Sequence, residues 1–205
     1  MLFREKIWVN IYQMQKLDEL IHNKNESIIE IDVEDFSNRE KELEKIKNEI
    51  IEEFLKLNFD KISSVEIDKQ TTIIEESEST KKMLEHSKTS LLKHIQDVLN
   101  FVEINKDKFN ENEYEYLFLF ALFHDAGKSK KLRAKYNINS DNHEQASGVY
   151  AKLKLKDTTF SYVGEAIYSY SNEKKDDYIL KNIYKKFHEI DKQVRINELG
   201  KNNDI

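Results

Sequence analysis

A mainly helical fold follows from three observations. Proline is absent and glycine occurs only four times in 205 residues. From about Ser79 onward apolar residues recur at the spacing of a helix face. Capping residues stand ahead of several of those runs. The few glycines, Gly127, Gly148, Gly164 and Gly200, disfavour turn-dense β architectures and glycine-rich phosphate loops. Charged residues at 35% and hydrophobic residues at 39% fit a folded, water-soluble chain. No apolar run approaches the ~20 residues that span a bilayer, and Met1 to Lys6 lacks the apolar stretch of a signal peptide. A cytoplasmic protein with no membrane partner is therefore expected. The formal charge of −6 gives no global attraction to nucleic acid backbones. Cysteine is absent, which removes disulfides, thiolate zinc sites and cysteine nucleophiles. Any metal must be held by His, Asp or Glu.

Residues 1–78 read as a small α/β or helical region. Ile7, Trp8, Ile11, Leu17 and Leu20 suggest a first helix. Ile29, Ile31 and Val33 alternate with Glu30, Asp32 and Glu34 in the two-residue period of a strand. Ser37 to Glu40 resembles a capping box ahead of Leu43, Ile46, Ile50, Phe54 and Leu57 at helical spacing. Ile62, Val65 and Ile67, then Thr71 to Ile74, form a weaker second strand candidate. The role of this region is unreadable; it offers a surface for a second copy or a partner protein. The charged stretch Glu75 to Lys82 marks the junction with a helical unit, 79–205.

In that unit, Leu84, Leu91, Leu92, Ile95, Val98, Leu99 and Val102 line a helix that contains His94. Asn110, with Glu113 three positions on, caps a second helix ending near His124-Asp125, with Gly127 as its left-handed terminator. Asp141-Asn142-His143-Glu144 opens a third and puts His143 in its first turn. A fourth is expected from about Thr158 to Tyr170, and a last from about Asp176 through Asp191 to Leu199.

The pair His124-Asp125 closes a strongly apolar run, Tyr114 to Phe123. Ionisable groups there are costly unless compensated, and a metal ion is a common compensator. Neighbouring positions diverge by ~100° within a helix, so both residues can face one site only at a helix end. His94, His143 and Asp191 stand on other helices, as a convergent ligand set requires. Each residue also has a plainer reading. His94 can be satisfied by a neighbour, His124 can cap carbonyls while Asp125 pairs with Lys128, and Asp191 can pair with Arg195 four positions on. Lys130, Lys131 and Arg133 can be a solvated loop, and His86 and His188 are assigned no role. The aromatic series from Phe101 to Phe123 is core material.

The order of His94, the pair in Leu122-Phe123-His124-Asp125-Ala126-Gly127-Lys128, and Asp191 resembles the HD-domain superfamily of metal-dependent phosphohydrolases over roughly Ser79 to Leu199. The resemblance implies a helical bundle in which His94, His124, Asp125 and Asp191 bind a divalent metal that activates water for attack on phosphorus. It implies Asp125 as a catalytic group, Lys128 as a contact to a phosphoryl oxygen, and Lys130, Lys131 and Arg133 as a basic extension toward the substrate. His143 corresponds to a second-metal ligand of binuclear members, or it contacts phosphate at a mononuclear site. The next helix, Ile167 to Ser171, carries no His, and the Gly-Tyr-Pro element of the cyclic-dinucleotide branch is impossible without proline. One or two metal ions per chain are thus implied, with Mn, Fe, Co, Ni, Zn and Mg not distinguished. The expected substrate is a nucleotide or related phosphate ester. The alternatives are a single-strand nuclease and a non-catalytic regulatory module that binds a nucleotide or partner.

Overall fold

The computed structural model describes residues 33–65, 86–172 and 178–202. Seven α-helices lie among them: α1 (Val33–Lys56), α2 (Leu91–Ile104), α3 (Glu111–Phe123), α4 (Lys130–Lys135), α5 (His143–Leu155), α6 (Ser161–Asn172) and α7 (Tyr178–Asn202). Single tighter turns stand at Phe59–Lys61, Lys106–Lys108 and Ala126–Lys128. No strand occurs among the described residues, and the mainly helical expectation holds.

The amino-terminal expectations need correction where they can be seen. Val33 is the first residue of α1 rather than the end of a strand, so the helix starts ahead of the capping box expected at Ser37. Ile62 to Val65 form no strand; their order comes from an isolated antiparallel bridge between Ser63 and Ser90. Ile29, Ile31, Ile67, Thr71 to Ile74, the helix around Trp8, Leu84 and the junction Glu75 to Lys82 lie outside the described residues. Residue 78 lies outside the described residues, and the chain divides into two compact units, 1–38 and 39–205. The reason is apolar periodicity: Leu43, Ile46, Ile50 and Phe54 lie along one face of α1 and are buried in the same core as α2 and α3. Phe54 stacks on Phe59 with ring centroids 4.1 Å apart, which carries that core around the end of α1.

Helix α3 runs through the middle of this core, with Leu117 to Phe123 buried without interruption. A helix apolar on all sides is stable only when surrounded, and α2, α5, α6 and α7 all pack against it. Its start is fixed by a complete capping box: Asn110 accepts from the Glu113 amide at 2.9 Å, and Glu113 accepts from the Asn110 amide at 3.3 Å. Such a cap contributes about 1 kcal/mol and fixes where the helix begins. Two buried carboxylates tie the surrounding helices together. Glu115 on α3 holds Arg39 of α1 in a two-pronged pair, and Tyr162 of α6 donates to it at 2.7 Å. Glu53 on α1 accepts from Tyr136 and Tyr150 and pairs with Lys135 and Lys154.

The fourth helix begins at Ser161, three residues later than the Thr158 expected, because Thr158 closes a turn onto the Leu155 carbonyl. Helix α4 was not expected. Its signal is Ser129, whose hydroxyl accepts from the Leu132 amide as an N-cap.

Candidate metal centre

Three elements converge on one point: the inner face of α2, the end of α3 and the face of α7 that packs against both. His94 is completely buried on α2, whose N-cap Ser90 accepts from the Lys93 amide. At the end of α3, His124 keeps helical angles, whereas Asp125 has φ −108° and ψ 2°. That change of direction lets adjacent side chains reach the same place. The turn Ala126–Lys128 follows, and here the role expected for Gly127 is overturned: no glycine among the described residues has a positive φ. Gly127 is required by crowding instead. A Cβ there would lie 2.1 Å from the His143 carbonyl oxygen and 2.7 Å from the Ser147 amide nitrogen. The Gly127 amide donates to Ser147 Oγ at 2.8 Å, so the turn is seated on the start of α5.

His94 Nε2 and His124 Nε2 are 3.4 Å apart. His94 Nδ1 donates to Glu198 Oε1 at 2.9 Å, and His124 Nδ1 donates to the Ala121 carbonyl at 2.9 Å. With each Nδ1 carrying the proton, both Nε2 lone pairs face the same small space. Asp191 Oδ1 lies 3.0 Å from His94 Nε2, and Asp125 Oδ2 lies 3.5 Å from His124 Nε2. Asp191 Oδ1 is buried and has no hydrogen-bond partner.

These residues fit a divalent cation. Metal bonds of about 2.0–2.2 Å place neighbouring ligand atoms about 3.0–3.5 Å apart in tetrahedral or octahedral shells. Lone pairs and an orphaned carboxylate oxygen at such spacings repel one another unless a positive charge lies between them. His94, His124 and Asp125 form a group able to hold a metal ion, and Asp191 adds its oxygen beside His94.

A second ring of groups surrounds these four. Lys128 donates to Asp125 Oδ2 and to the Ser64 carbonyl, both at 2.7 Å. Arg195 donates to Ser64 Oγ at 2.9 Å and reaches Asp125 Oδ2 at 3.4 Å. Glu198 Oε2 and His86 Nδ1 are buried, lack hydrogen-bond partners and stand 4.0 Å apart. Burial alone would push the Asp125 pKa up, but its electrostatic interactions with the adjoining His124 and Lys128 hold it well below the ordinary carboxylate range. Asp191 is also lowered: burial opposes this, and the adjoining His94 imidazole outweighs it. Burial holds His124 below the usual imidazole value. At His94 burial acts the same way, but Asp191 and Glu198 outweigh it and raise the pKa.

His94, His124, Asp125, Asp191 and Lys128 are thus together, from positions spread over about a hundred residues. His143 stands at the edge, in the first turn of α5 as expected, with Nε2 4.0 Å from Asp125 Oδ1 and its side chain 42% exposed. Arg133 is not part of the cluster; it donates to the Ser140 carbonyl at 2.7 Å and braces the loop after α4. The plainer contacts of the pair are present too, since His124 does bond a carbonyl and Asp125 does pair with Lys128. They use only one nitrogen and one oxygen, which leaves His124 Nε2 directed at His94. Sequence reasoning missed Ser64, His86 and Glu198 and saw Arg195 only as a partner for Asp191. Glu198 was detectable: it lies seven positions after Asp191, two turns along the same face of α7.

No protein-family model matches the chain, and comparison with curated proteins and with solved structures likewise found no match.

Proposed function

We propose that the chain is a metal-dependent phosphohydrolase of the HD type, acting on the phosphate ester of a nucleotide or related small molecule. The observation that carries this reading is the pair of imidazole lone pairs 3.4 Å apart, flanked by the Asp125 and Asp191 carboxylates. A divalent cation held by His94, His124, Asp125 and Asp191 supplies Lewis acidity toward a phosphoryl oxygen and makes water more acidic near neutral pH. Glu198 and the Ala121 carbonyl keep both histidines in the tautomer that offers Nε2. Lys128 neutralises Asp125 and stands beside the ligands as a point charge for a phosphoryl oxygen. His143, half-exposed at the rim, is the group on the solvent side able to contact phosphate or transfer a proton.

The absence of His from Ile167 to Ser171 favours a mononuclear centre. The engagement of Arg133 by Ser140 and the net negative charge favour a small ester over a nucleic acid strand. No helix among the described residues is long and apolar enough to cross a membrane.

The test is elemental analysis of protein purified without chelator, followed by hydrolysis of a panel of nucleotides, other phosphate monoesters and oligonucleotides. About one equivalent of transition metal in the wild type, lost in Asp125→Ala together with mononucleotide turnover, is the expected result. Preferential cleavage of oligonucleotides would move the assignment to a nuclease. Metal bound without any turnover would move it to a regulatory module. A chain that takes up no metal even after reloading would end the proposal.

A further inference from the structure

We infer that Arg195 is a binding position for a phosphoryl oxyanion, and that it takes up this ligand only after a divalent cation has loaded the neighbouring ligand set. The inference rests on the metal-centre reading above.

A guanidinium is a planar fork that matches two oxygens of one carboxylate or phosphate at about 2.7–2.9 Å. Arg195 is surrounded by carboxylates yet matched to none of them. Nη2 lies 3.4 Å from Asp125 Oδ2, Nε lies 3.8 Å from Asp191 Oδ1, and Nη1 lies 4.0 Å from Glu198 Oε2. Its one bond of ordinary length runs to a hydroxyl, Ser64 Oγ, at 2.9 Å. Asp125 Oδ2, the nearest carboxylate oxygen, is already held by Lys128 at 2.7 Å. Ser64 is itself buried, and its hydroxyl donates to the His86 carbonyl, so the guanidinium is positioned by a fixed neutral group rather than consumed in a salt bridge. The Arg195 side chain is 17% exposed, which leaves it an accessible edge.

Charge explains the order of binding. Asp125, Asp191 and Glu198 face Lys128 and Arg195, so with neutral imidazoles the cluster carries one net negative charge. That charge repels an anionic ester. A divalent cation reverses the sign and competes with the guanidinium for Asp125 and Asp191, which makes the Arg195 donors available to an incoming oxyanion. Arg195 also opposes the first step, because it is a fixed positive charge beside the cation's ligands.

The inference therefore requires that neutralising Arg195 weakens oxyanion binding without weakening cation binding. The experiment is titration calorimetry of the full chain with Mn²⁺, and with methylphosphonate in the presence and absence of saturating Mn²⁺. Wild type, Arg195→Gln and Arg195→Lys are compared after circular dichroism has established that each is folded. Wild type should bind methylphosphonate only with Mn²⁺ present. Arg195→Gln should bind Mn²⁺ as tightly as wild type or severalfold more tightly, and methylphosphonate about tenfold or more weakly. Arg195→Lys should recover part of the phosphonate affinity. Three results would each overturn the inference while leaving the metal centre standing: equal phosphonate affinity in wild type and Arg195→Gln, phosphonate binding that ignores Mn²⁺, or a parallel loss of Mn²⁺ and phosphonate affinity. Wild type that binds no Mn²⁺ would remove the metal-centre reading and this inference together.

Discussion

Glu53 and Asp125 are both buried carboxylates in contact with lysine, yet their surroundings differ in one decisive respect. Around Glu53 every polar neighbour has a partner: Lys135 and Tyr136 serve Oε1, and Lys154 and Tyr150 serve Oε2. Around Asp125 the groups outnumber their bonds, with two imidazole lone pairs facing each other and orphaned oxygens on Asp191 and Glu198. A satisfied buried carboxylate is a fastening between helices. One whose neighbours remain unsatisfied calls for a further partner, such as the cation proposed above.

The comparison breaks most visibly if Asp125→Ala binds as much of the proposed cation as wild type. The expected outcome is a drop from about one equivalent to none in elemental analysis, while the helical circular dichroism spectrum persists. Next in size is Glu53→Ala, which strands two lysines and two tyrosine hydroxyls between α1, α4 and α5. Urea denaturation should show a stability loss of about 3 kcal/mol, as when one partner of a buried pair is removed, with cation content unchanged. A shift of both quantities by either variant would erase the distinction between the two sites.

The acid limb sharpens it further. Burial alone would raise the Glu53 pKa, but its lysine and tyrosine partners hold it down at about 2, from an ordinary value of 4.5. A depressed carboxylate stabilises the fold fully above its unfolded pKa, and the contribution fades as pH falls through the folded value. Glu53 should therefore contribute on the order of 2–3 kcal/mol above pH ~4.5 that disappears toward pH ~2. In Glu53→Gln the stability lost between those limits should be smaller than in wild type, as read from urea midpoints at successive pH values. The smallest effect belongs to Glu198→Gln. Replacing the carboxylate that accepts from His94 Nδ1 should weaken cation binding about 10- to 100-fold, with little change in urea midpoint.

Much of this was legible in the sequence because it depends on local pattern. Asn110 with Glu113 reads as a cap and is one, and the run Asp141 to Glu144 opens a helix as read, with Asn142 as its cap. The apolar run ending in His124-Asp125 announced a buried helix with a charged terminus, and helical periodicity placed His94 and Asp191 on other elements. What escaped depends on contacts between distant segments. Ser64 stands in an irregular stretch with no periodicity to mark it, yet it bonds both Lys128 and Arg195. The dismissal of His86 was similar, since its position opposite Glu198 depends on a pairing of segments that one sequence does not encode locally. Gly127 was located correctly but explained by the wrong property, because a glycine at a helix end can answer either a dihedral demand or a steric one.

That steric seat of Gly127 against His143 and Ser147 has a further consequence for how the molecule can change. It pins residue 127 and the start of α5 to each other, so the stretch from Ser129 to Asn142 is a closed loop with both ends fixed beside the ligands. Doubling the length of a loop whose ends are already joined costs only about 0.6 kcal/mol. Leu132 is buried and Lys135 and Tyr136 bond Glu53, so the room for added residues lies at the exposed bend near Asn139 and Asp141, where the candidate ligands would keep their places. The rim of the site can thus diversify by insertion at that bend without moving the cluster beneath it.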